Sequence, residues 1–234
     1  MSYQARELYC GNGTWAVHAS NHQKNMDKNV NIKVLAAKTR SVYEQYGLQY
    51  DAERSRLLFE MKWLQRFENL LPASAAILDA GCGGGEPIAR YFIQQGYEVM
   101  GIDFAAPMIE LAKARFPGST WLRMDMRALD LQESFHGIIS WHSFFHLTPA
   151  EQRATLARFT RHLQPEGLLL LTVGPGAGEV TGHVGGQPVY HSSLSLAAYQ
   201  EVLNSLGMAI LDFVPEDPEC DFASVLLSRK MASL

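Results

Sequence analysis

The chain has 234 residues, of which 47% are apolar, and this is enough for one large α/β domain around a buried core. Its formal net charge of −4 and the lack of a Lys/Arg run exclude the basic footprint of a nucleic-acid-binding protein. Three widely spaced cysteines fit neither a disulfide framework nor a CxxC metal site. Neither a signal-peptide segment nor a membrane-spanning apolar run is visible, so we expect a cytoplasmic protein without a membrane partner.

The N-terminal part of the chain is predicted to be a polar arm followed by two helices. Residues 18–31 are rich in Asn and show no regular period, which favours a loop or a mobile arm. Apolar residues then recur at helical spacing over 32–47 and over 52–72. In the second pattern these residues include Leu57, Phe59, Met61, Trp63, Leu64 and Phe67.

From residue 76 onward, short apolar segments alternate with helical patterns. This alternation is typical of a parallel sheet built from right-handed crossovers. Five strands are predicted, with the sequences AAILDA, YEVMGID, TWLRMD, FHGIISW and GLLLLTV. The glycine-rich segment 174–193 that follows them is long enough to be a lid or a pocket wall, although a plain flexible loop is the alternative.

Two helix starts and a final strand pair complete the predicted fold. Thr148 with Glu151 forms the pattern of a capping box, and Ser195 is a second N-cap candidate. The segments 208–217 and 221–230 are both apolar and leave no room for a helix between them. We therefore predict that they pair antiparallel, with the last strand inserted into the sheet.

The segment ILDAGCGGGEPIAR, residues 77–90, suggests a ligand that lies close to the backbone. Glycines between a strand and a helix remove Cβ atoms and expose the N–H groups of a helix start. Asp79, Gly81, Gly83 and Gly85 match the pattern D-x-G-x-G-x-G, whereas the dinucleotide fingerprint fails at Glu86 and no G-K-[ST] ending follows. The two acids disfavour a pyrophosphate and suit a ligand with an ammonium or sulfonium charge.

The motifs LDAGCGGG, GIDFAAPMIELAKARFP and MDMRALDL resemble the first three sequence motifs of the class I S-adenosylmethionine-dependent methyltransferases. The resemblance covers about residues 40–230 in order and spacing. It implies a Rossmann-like seven-stranded sheet, parallel except for an antiparallel last strand, with helices on both faces and an N-terminal helical extension. Residues 1–55 would then be an arm and a helical cap, and residues 56–234 the S-adenosylmethionine-binding domain.

The resemblance also implies which residues bind S-adenosylmethionine and its product S-adenosylhomocysteine. Asp79 would lie near the amino group, Asp103 would accept both ribose hydroxyls, and Asp125 would accept the adenine amino group. A carboxylate with two acceptor oxygens suits the vicinal diol of the ribose. The full set of cofactor residues is Asp79, Gly81, Cys82, Gly83, Gly85, Asp103, Phe104, Met108, Asp125, Met126 and Ser140.

Histidines near the end of the fourth strand are the candidates for proton transfer. His146 is the first candidate for the general base, and His142 and Glu179 are the next candidates. The alternative is that the histidines are purely structural, as buried histidines often are. Two histidines four residues apart could also bind zinc, but the spacing of the others matches no ligand pair, and we predict no metal. The candidate substrate contacts are Tyr43, Tyr46, Trp141, His183 and Tyr190.

Together these features predict transfer of a methyl group from S-adenosylmethionine to an oxygen or nitrogen of a small molecule, by a monomer or homodimer. The absence of an Asn-Pro-Pro-Tyr signature argues against methylation of adenine or glutamine. One alternative is a non-catalytic sensor or partner subunit that binds S-adenosylmethionine or S-adenosylhomocysteine. A nicotinamide-dependent reductase is a third reading, which the incomplete dinucleotide fingerprint disfavours.

Overall fold

The computed structural model describes residues 32–232, so Cys10 and the polar segment 18–31 lie outside the described residues. The helices are α1 (Ile32–Glu53), α2 (Met61–Glu68), α3 (Ile88–Gln94), α4 (Ala106–Arg115), α5 (Pro149–His162) and α6 (Leu196–Ser205). The strands are β1 (Ala76–Ala80), β2 (Glu98–Asp103), β3 (Thr120–Arg123), β4 (Phe135–Ser140), β5 (Leu163–Val173), β6 (Gly178–Val184), β7 (Gln187–Ser193), β8 (Met208–Asp217) and β9 (Ala223–Lys230).

Seven of these strands form one sheet in the order β3-β2-β1-β4-β5-β9-β8. The first five pair in parallel, and β9 runs antiparallel to both of its neighbours, β5 and β8. The predicted Rossmann-like fold, with an antiparallel last strand inserted into the sheet, is confirmed. The order also brings β1 and β4 side by side at the centre, where ligands bind in open α/β sheets.

Helices cover both faces of the sheet because neighbouring residues of the buried strands point in opposite directions. Ile77 and Leu170 pack on one face with α2, α3 and α4. Leu78 and Leu171 pack on the other face with α5 and α6. The central strands β1, β4 and β5 are therefore mostly apolar where helices cover both of their faces.

Both predicted helix starts are confirmed. Thr148 accepts a hydrogen bond from the Glu151 backbone N–H, while the Glu151 carboxylate accepts one from the Thr148 backbone N–H at 2.8 Å. Ser195 caps α6 by accepting from Ala198 N at 3.2 Å. Each cap satisfies backbone donors that a helix start leaves unpaired.

The segment 174–193, predicted as a lid or pocket wall with a flexible loop as the alternative, contains an antiparallel hairpin, β6 and β7, which packs against α1. Its two-residue turn consists of Gly185 and Gly186, with φ values of 54° and 72°. Positive φ at both central positions is what a type I′ turn requires, and glycine adopts it without strain. The Gly-Gly pair was the available signal, and the prediction missed it because the flanking segments are polar and alternate weakly.

The second predicted helix begins nine residues later than expected, at Met61. α1 continues to Glu53, and the Arg56 guanidinium then donates to the carbonyls of Asp51 and Arg54 at 2.6 and 2.8 Å. This satisfies carbonyls at the helix end, so the chain leaves the helix there. Leu57 in the connection is 67% exposed, and its place in the helical pattern was misleading.

No helix within residues 32–232 is long and apolar enough to cross a membrane.

Candidate active site

A cavity lies between α1 and the carboxyl edge of the sheet, with about 890 Å³ of empty space when the adjoining open solvent is included. Residues that follow β1, β2, β3 and β4 form its floor, and α1 forms its roof. Among the predicted site residues, those that line the cavity are Tyr43, Gly81, Gly83, Asp103, Phe104, Met108, Asp125, Met126, Trp141, His142 and His146.

The glycine turn after β1 leaves open space above the backbone. Gly83 has a φ of +52°, and a Cβ built there would find nothing nearer than Met108 Sδ at 4.0 Å. A Cβ on Gly81, in contrast, would lie 2.4 Å from both Cβ and Oγ of Ser143. Gly81 is therefore needed for close packing under the turn, whereas Gly83 keeps room for a ligand in the cavity.

Asp103 at the end of β2 holds the glycine turn and faces the cavity. Its Oδ2 accepts from Gly83 N at 3.1 Å, and its Oδ1 accepts from Ala105 N at 2.8 Å. Desolvation raises its pKa to about 6, although these two backbone hydrogen bonds favour the charged form. Each oxygen retains a lone pair, so the carboxylate can still accept from a ligand.

Asp79 lies behind the glycine turn and is only 3% exposed. Burial raises its pKa to about 7, the nearby charge of Arg54 opposes this rise, and Asp103 adds to it. The side chain does not line the cavity. Ser140 is likewise buried and braces the turn from below, because its Oγ donates to Ala80 O at 2.7 Å and contacts Ser143 Oγ at 2.7 Å.

Asp125 lies at the far end of the cavity, next to Met126 and Phe104. Its carboxylate accepts from the Arg127 backbone N–H at 2.9 Å and from the Arg127 guanidinium, and Arg40 Nη1 lies 3.7 Å from Asp125 Oδ2. Burial raises its pKa, but these hydrogen bonds and charges outweigh burial and lower the pKa below its ordinary value. The Arg40 guanidinium also lies over the Phe104 ring, 5.4 Å from the centroid.

His146 and Tyr43 meet in the cavity wall, where the Tyr43 ring lies edge-on to Phe104. The Tyr43 hydroxyl lies 2.8 Å from His146 Nε2, and His146 Nδ1 lies 2.8 Å from the carbonyl oxygen of Tyr190. Burial lowers the pKa of His146 to about 4, and the hydrogen bond to Tyr190 only partly opposes this. The imidazole is therefore neutral at physiological pH.

Trp141 and His142 form the wall beside this pair. His142 has a φ of +52°, and its backbone N–H donates to Thr172 Oγ1 at 2.7 Å. Neither Trp141 Nε1 nor His142 Nδ1 has a hydrogen-bond partner among the described residues, although both atoms are buried. Buried polar atoms without partners are rare in folded proteins, and these two belong to residues that line the cavity.

The remaining predicted residues lie outside the cavity. Cys82 is buried in the core and Gly85 packs against Phe116, where a Cβ would come within 3.0 Å. His183 is exposed on the hairpin, and the Tyr190 hydroxyl donates to Glu179 there. Tyr46 packs on the hairpin turn at Gly185. Glu86 also points away from the cavity, because its carboxylate pairs with Arg56 and Arg90.

The prediction missed several residues that line the cavity, namely Ala36, Thr39, Arg40, Tyr50, Arg54, Met124, Arg127, Ser143 and Leu147. Arg54 is the most consequential, because it places a cation beside Asp79 and donates to Glu86 O at 3.1 Å. Its position depends on where α1 ends, which the helical pattern over 52–72 concealed. Within residues 32–232 no group of three His, Cys, Asp or Glu side chains could hold a metal ion.

Residues 77–167 match the family model of the methyltransferase domain. The chain is 31% identical over 141 residues to the YqeM protein of Bacillus subtilis, with 56% of this chain and 55% of that protein covered. It is also 31% identical over 102 residues to dTDP-3-amino-3,6-dideoxy-alpha-D-glucopyranose N,N-dimethyltransferase of Streptomyces fradiae, with 43% and 40% covered. The chain thus spans about half the length of these relatives or less.

Solved structures share the fold. The 1,6-didemethyltoxoflavin-N1-methyltransferase of Burkholderia thailandensis, solved with its substrate and S-adenosylhomocysteine, has a TM-score of 0.67 and 22% identity, with 86% of this chain and 91% of that chain covered. Residues 77–167 therefore match a methyltransferase domain, and the described residues share their fold with S-adenosylmethionine-dependent methyltransferases. These matches agree with the predicted family, enzyme class and cofactor.

Proposed function

We propose that the protein transfers a methyl group from S-adenosylmethionine to an oxygen or nitrogen of a small molecule. The single observation that carries this proposal is the continuity of the cavity. The same cavity is lined by Gly83 and Asp103, which we assign to the donor, and by Tyr43 and His146, which we assign to the acceptor. A protein that only sensed S-adenosylmethionine would need no polar side chains for an acceptor beside the donor.

The proposed donor site lies at the glycine turn. We assign the ribose hydroxyls to Asp103, the methionine part to the open face of Gly83, and the adenosine to the neighbourhood of Phe104, Met108 and Met126. S-adenosylmethionine supplies a methyl group that its sulfonium charge already activates. Asp79 and Asp103 provide carboxylates close to the turn, and these complement a cationic ligand.

The proposed acceptor site is the part of the cavity between Trp141, His142, His146 and α1. Methyl transfer is a displacement reaction, so the protein accelerates it mainly by aligning the acceptor and excluding water. α1 provides that exclusion, and an ion pair holds its end near the glycine turn, because Asp51 pairs with Arg115 at 2.6 Å. We therefore retain residues 1–55 as the cap and residues 56–234 as the catalytic domain.

Named relatives support the choice of acceptor. One relative methylates the nitrogen of an amino sugar and one structural neighbour is an N1-methyltransferase of 1,6-didemethyltoxoflavin, as their names state. Both acceptors are small molecules with a polar reacting atom. We propose the same class here, acting in the cytoplasm as a monomer or homodimer and without a nucleic-acid partner.

Product labelling tests the proposal. The purified protein would be incubated with methyl-labelled S-adenosylmethionine and the deproteinised small-molecule extract of the cells that encode it, and NMR would then detect labelled products. A new labelled methyl resonance on oxygen or nitrogen, absent when the Gly83→Val variant replaces the protein, supports the proposal. Label that appears only on macromolecules, or on no compound while S-adenosylhomocysteine binds, would contradict it and favour the non-catalytic alternative.

A further inference from the structure

The hydrogen bonds around His146 fix the positions of its protons. A carbonyl oxygen can only accept, so the Nδ1 atom that lies 2.8 Å from Tyr190 O must carry the proton of the neutral ring. Nε2 is then bare and accepts from the Tyr43 hydroxyl at 2.8 Å. Both ring nitrogens are therefore occupied, and an acceptor molecule cannot bond to His146 without displacing Tyr43.

Tyr43 is left as the member of the pair that can receive a hydrogen bond. Its hydroxyl has one hydrogen, which points to His146, so any further hydrogen bond it makes must be accepted by Oη. The ring lies edge-on to Phe104 at 6.2 Å and to Tyr50 at 5.8 Å, and these contacts fix its place in the cavity wall. Tyr43 thus reaches the cavity from α1, and His146, which follows β4, accepts the hydrogen bond that its hydroxyl donates.

We propose that the Tyr43 hydroxyl is the catalytic group that takes the proton of the methyl acceptor, and that His146 is a positioning residue that receives the Tyr43 proton at Nε2. This inference rests on the proposed methyltransferase function. It names the acceptor class more narrowly as a molecule whose reacting oxygen or nitrogen carries a hydrogen that it can donate to Tyr43.

The acceptor atom forms a bond to the methyl carbon as the carbon–sulfur bond breaks, and the electron pair of that bond stays on sulfur as a thioether. The acceptor proton moves to Tyr43 Oη while the Tyr43 proton moves to His146 Nε2. His146 becomes an imidazolium whose Nδ1–H still donates to Tyr190 O, and it returns the extra proton to water after product release.

The electrostatics of the pair define its resting state. Burial holds the pKa of Tyr43 well above its ordinary value, with smaller contributions from Tyr50 and Asp103, so the hydroxyl carries its proton before the reaction. Burial lowers the pKa of His146 to about 4, so Nε2 is bare beforehand. Both shifts oppose transfer of a proton from Tyr43 to His146 by itself, so the transfer must accompany methyl transfer, when Tyr43 gains the acceptor proton as it gives up its own. One positive charge leaves the donor as another forms on His146, so the step moves a charge within the cavity and creates none.

Nitrogen NMR of the histidine rings tests the arrangement without an acceptor. The protein would carry isotope-labelled histidine and be saturated with S-adenosylhomocysteine, with His146→Gln used to assign the signals. We expect a protonated Nδ1 and a bare, hydrogen-bonded Nε2, and we expect Tyr43→Phe to shift only Nε2. Tyr46→Phe, one turn along α1 and outside the cavity, is the matched control and should shift neither.

A protonated Nε2, or an Nε2 signal that Tyr43→Phe does not move, would overturn the inference. In the labelling assay, Tyr43→Phe and His146→Asn should each lower kcat at least about 100-fold with little change in KM for S-adenosylmethionine, the scale of general-base catalysis. The double variant should lose no more than either single one, because the two residues act as a unit. Failure of S-adenosylhomocysteine to bind would contradict the proposed function instead, so the two failures are distinguishable.

Discussion

Two parts of the cavity lining, which we call the donor end and the acceptor end, are built in different ways. At the donor end, Asp103 is the last residue of β2, Gly83 and Asp125 lie in the turns after β1 and β3, and neighbouring strands bring them together. At the acceptor end, Tyr43 comes from α1, His146 from the turn before α5, and the Tyr190 carbonyl from the hairpin. The donor end therefore depends on local backbone geometry, whereas the acceptor end depends on the docking of three distant segments.

This difference separates the effects of substitution at the two ends. Changes at the donor end should abolish or weaken binding of S-adenosylhomocysteine. Changes at the acceptor end should leave that binding intact and act on turnover or on stability.

The largest expected effect is that of Gly83→Val. The new side chain would occupy the open face of the turn at a φ of +52°, so we expect calorimetry to detect no binding of S-adenosylhomocysteine. Gly96→Val is the matched control, because Gly96 also has a positive φ, of +85°, but a Cβ there meets nothing within 4 Å. Binding at wild-type affinity in the Gly83 variant would break the assignment of the donor end.

Asp79→Asn should stabilise the protein while weakening the binding of S-adenosylhomocysteine. The folded state keeps the Asp79 proton up to about pH 7, whereas the carboxyl of the unfolded chain has its ordinary pKa of 3.8. The folded state therefore binds more protons between these values, and the free energy of unfolding falls as pH rises through them, by at most about 4 kcal/mol. Asparagine has no proton to lose, so the free energy of unfolding of the variant does not fall in this way as pH rises. Denaturant unfolding at about pH 8 should therefore give the variant a higher free energy of unfolding than the wild type.

Equal stability of this variant and the wild type from acid to alkaline pH would show that Asp79 is not buried as described. The exposed acid Asp130 lies outside the cavity and serves as the control, because Asp130→Asn should leave binding of S-adenosylhomocysteine unchanged.

Asp103→Ala should weaken S-adenosylhomocysteine binding by roughly 1.5–3 kcal/mol, the scale of a hydrogen bond to a charged group. The carboxylate also anchors Gly83 N and Ala105 N, so part of this loss comes from a looser turn. Asp103→Asn keeps one acceptor oxygen, so it should lose less of the free energy of S-adenosylhomocysteine binding than the alanine variant. An unchanged dissociation constant in the alanine variant would remove Asp103 from the donor site.

The smallest effect expected is that of Thr148→Ala, behind the acceptor end. Loss of the N-cap of α5 should lower the free energy of unfolding by about 1 kcal/mol. Glu151 of α5 also bonds to Arg127, which holds Asp125, but Thr148→Ala leaves that ion pair in place, so the affinity for S-adenosylhomocysteine should stay the same. If titration calorimetry showed that Thr148→Ala also binds S-adenosylhomocysteine less tightly by about 1 kcal/mol, the donor and acceptor ends would not be separable.

The same difference explains what could be predicted from the sequence. Asp103 and Gly83 were found because strand ends and glycine spacing are local signals, and the Thr148 capping box is equally local. Arg54 was missed because the end of α1 is set by the Arg56 guanidinium, which a helical pattern does not reveal. The contact of Tyr43 with His146 joins residues 103 positions apart, and it depends on tertiary packing alone.

Calorimetric titration of the purified protein with S-adenosylhomocysteine, with NADH as the comparison ligand, tests the central claim most directly. Saturable binding of S-adenosylhomocysteine, weakened in Asp103→Ala, and no binding of NADH is the result that the account predicts. Binding of NADH, or binding of S-adenosylhomocysteine that Gly83→Val leaves unchanged, would contradict the assignment of the cavity as a methyl-donor site.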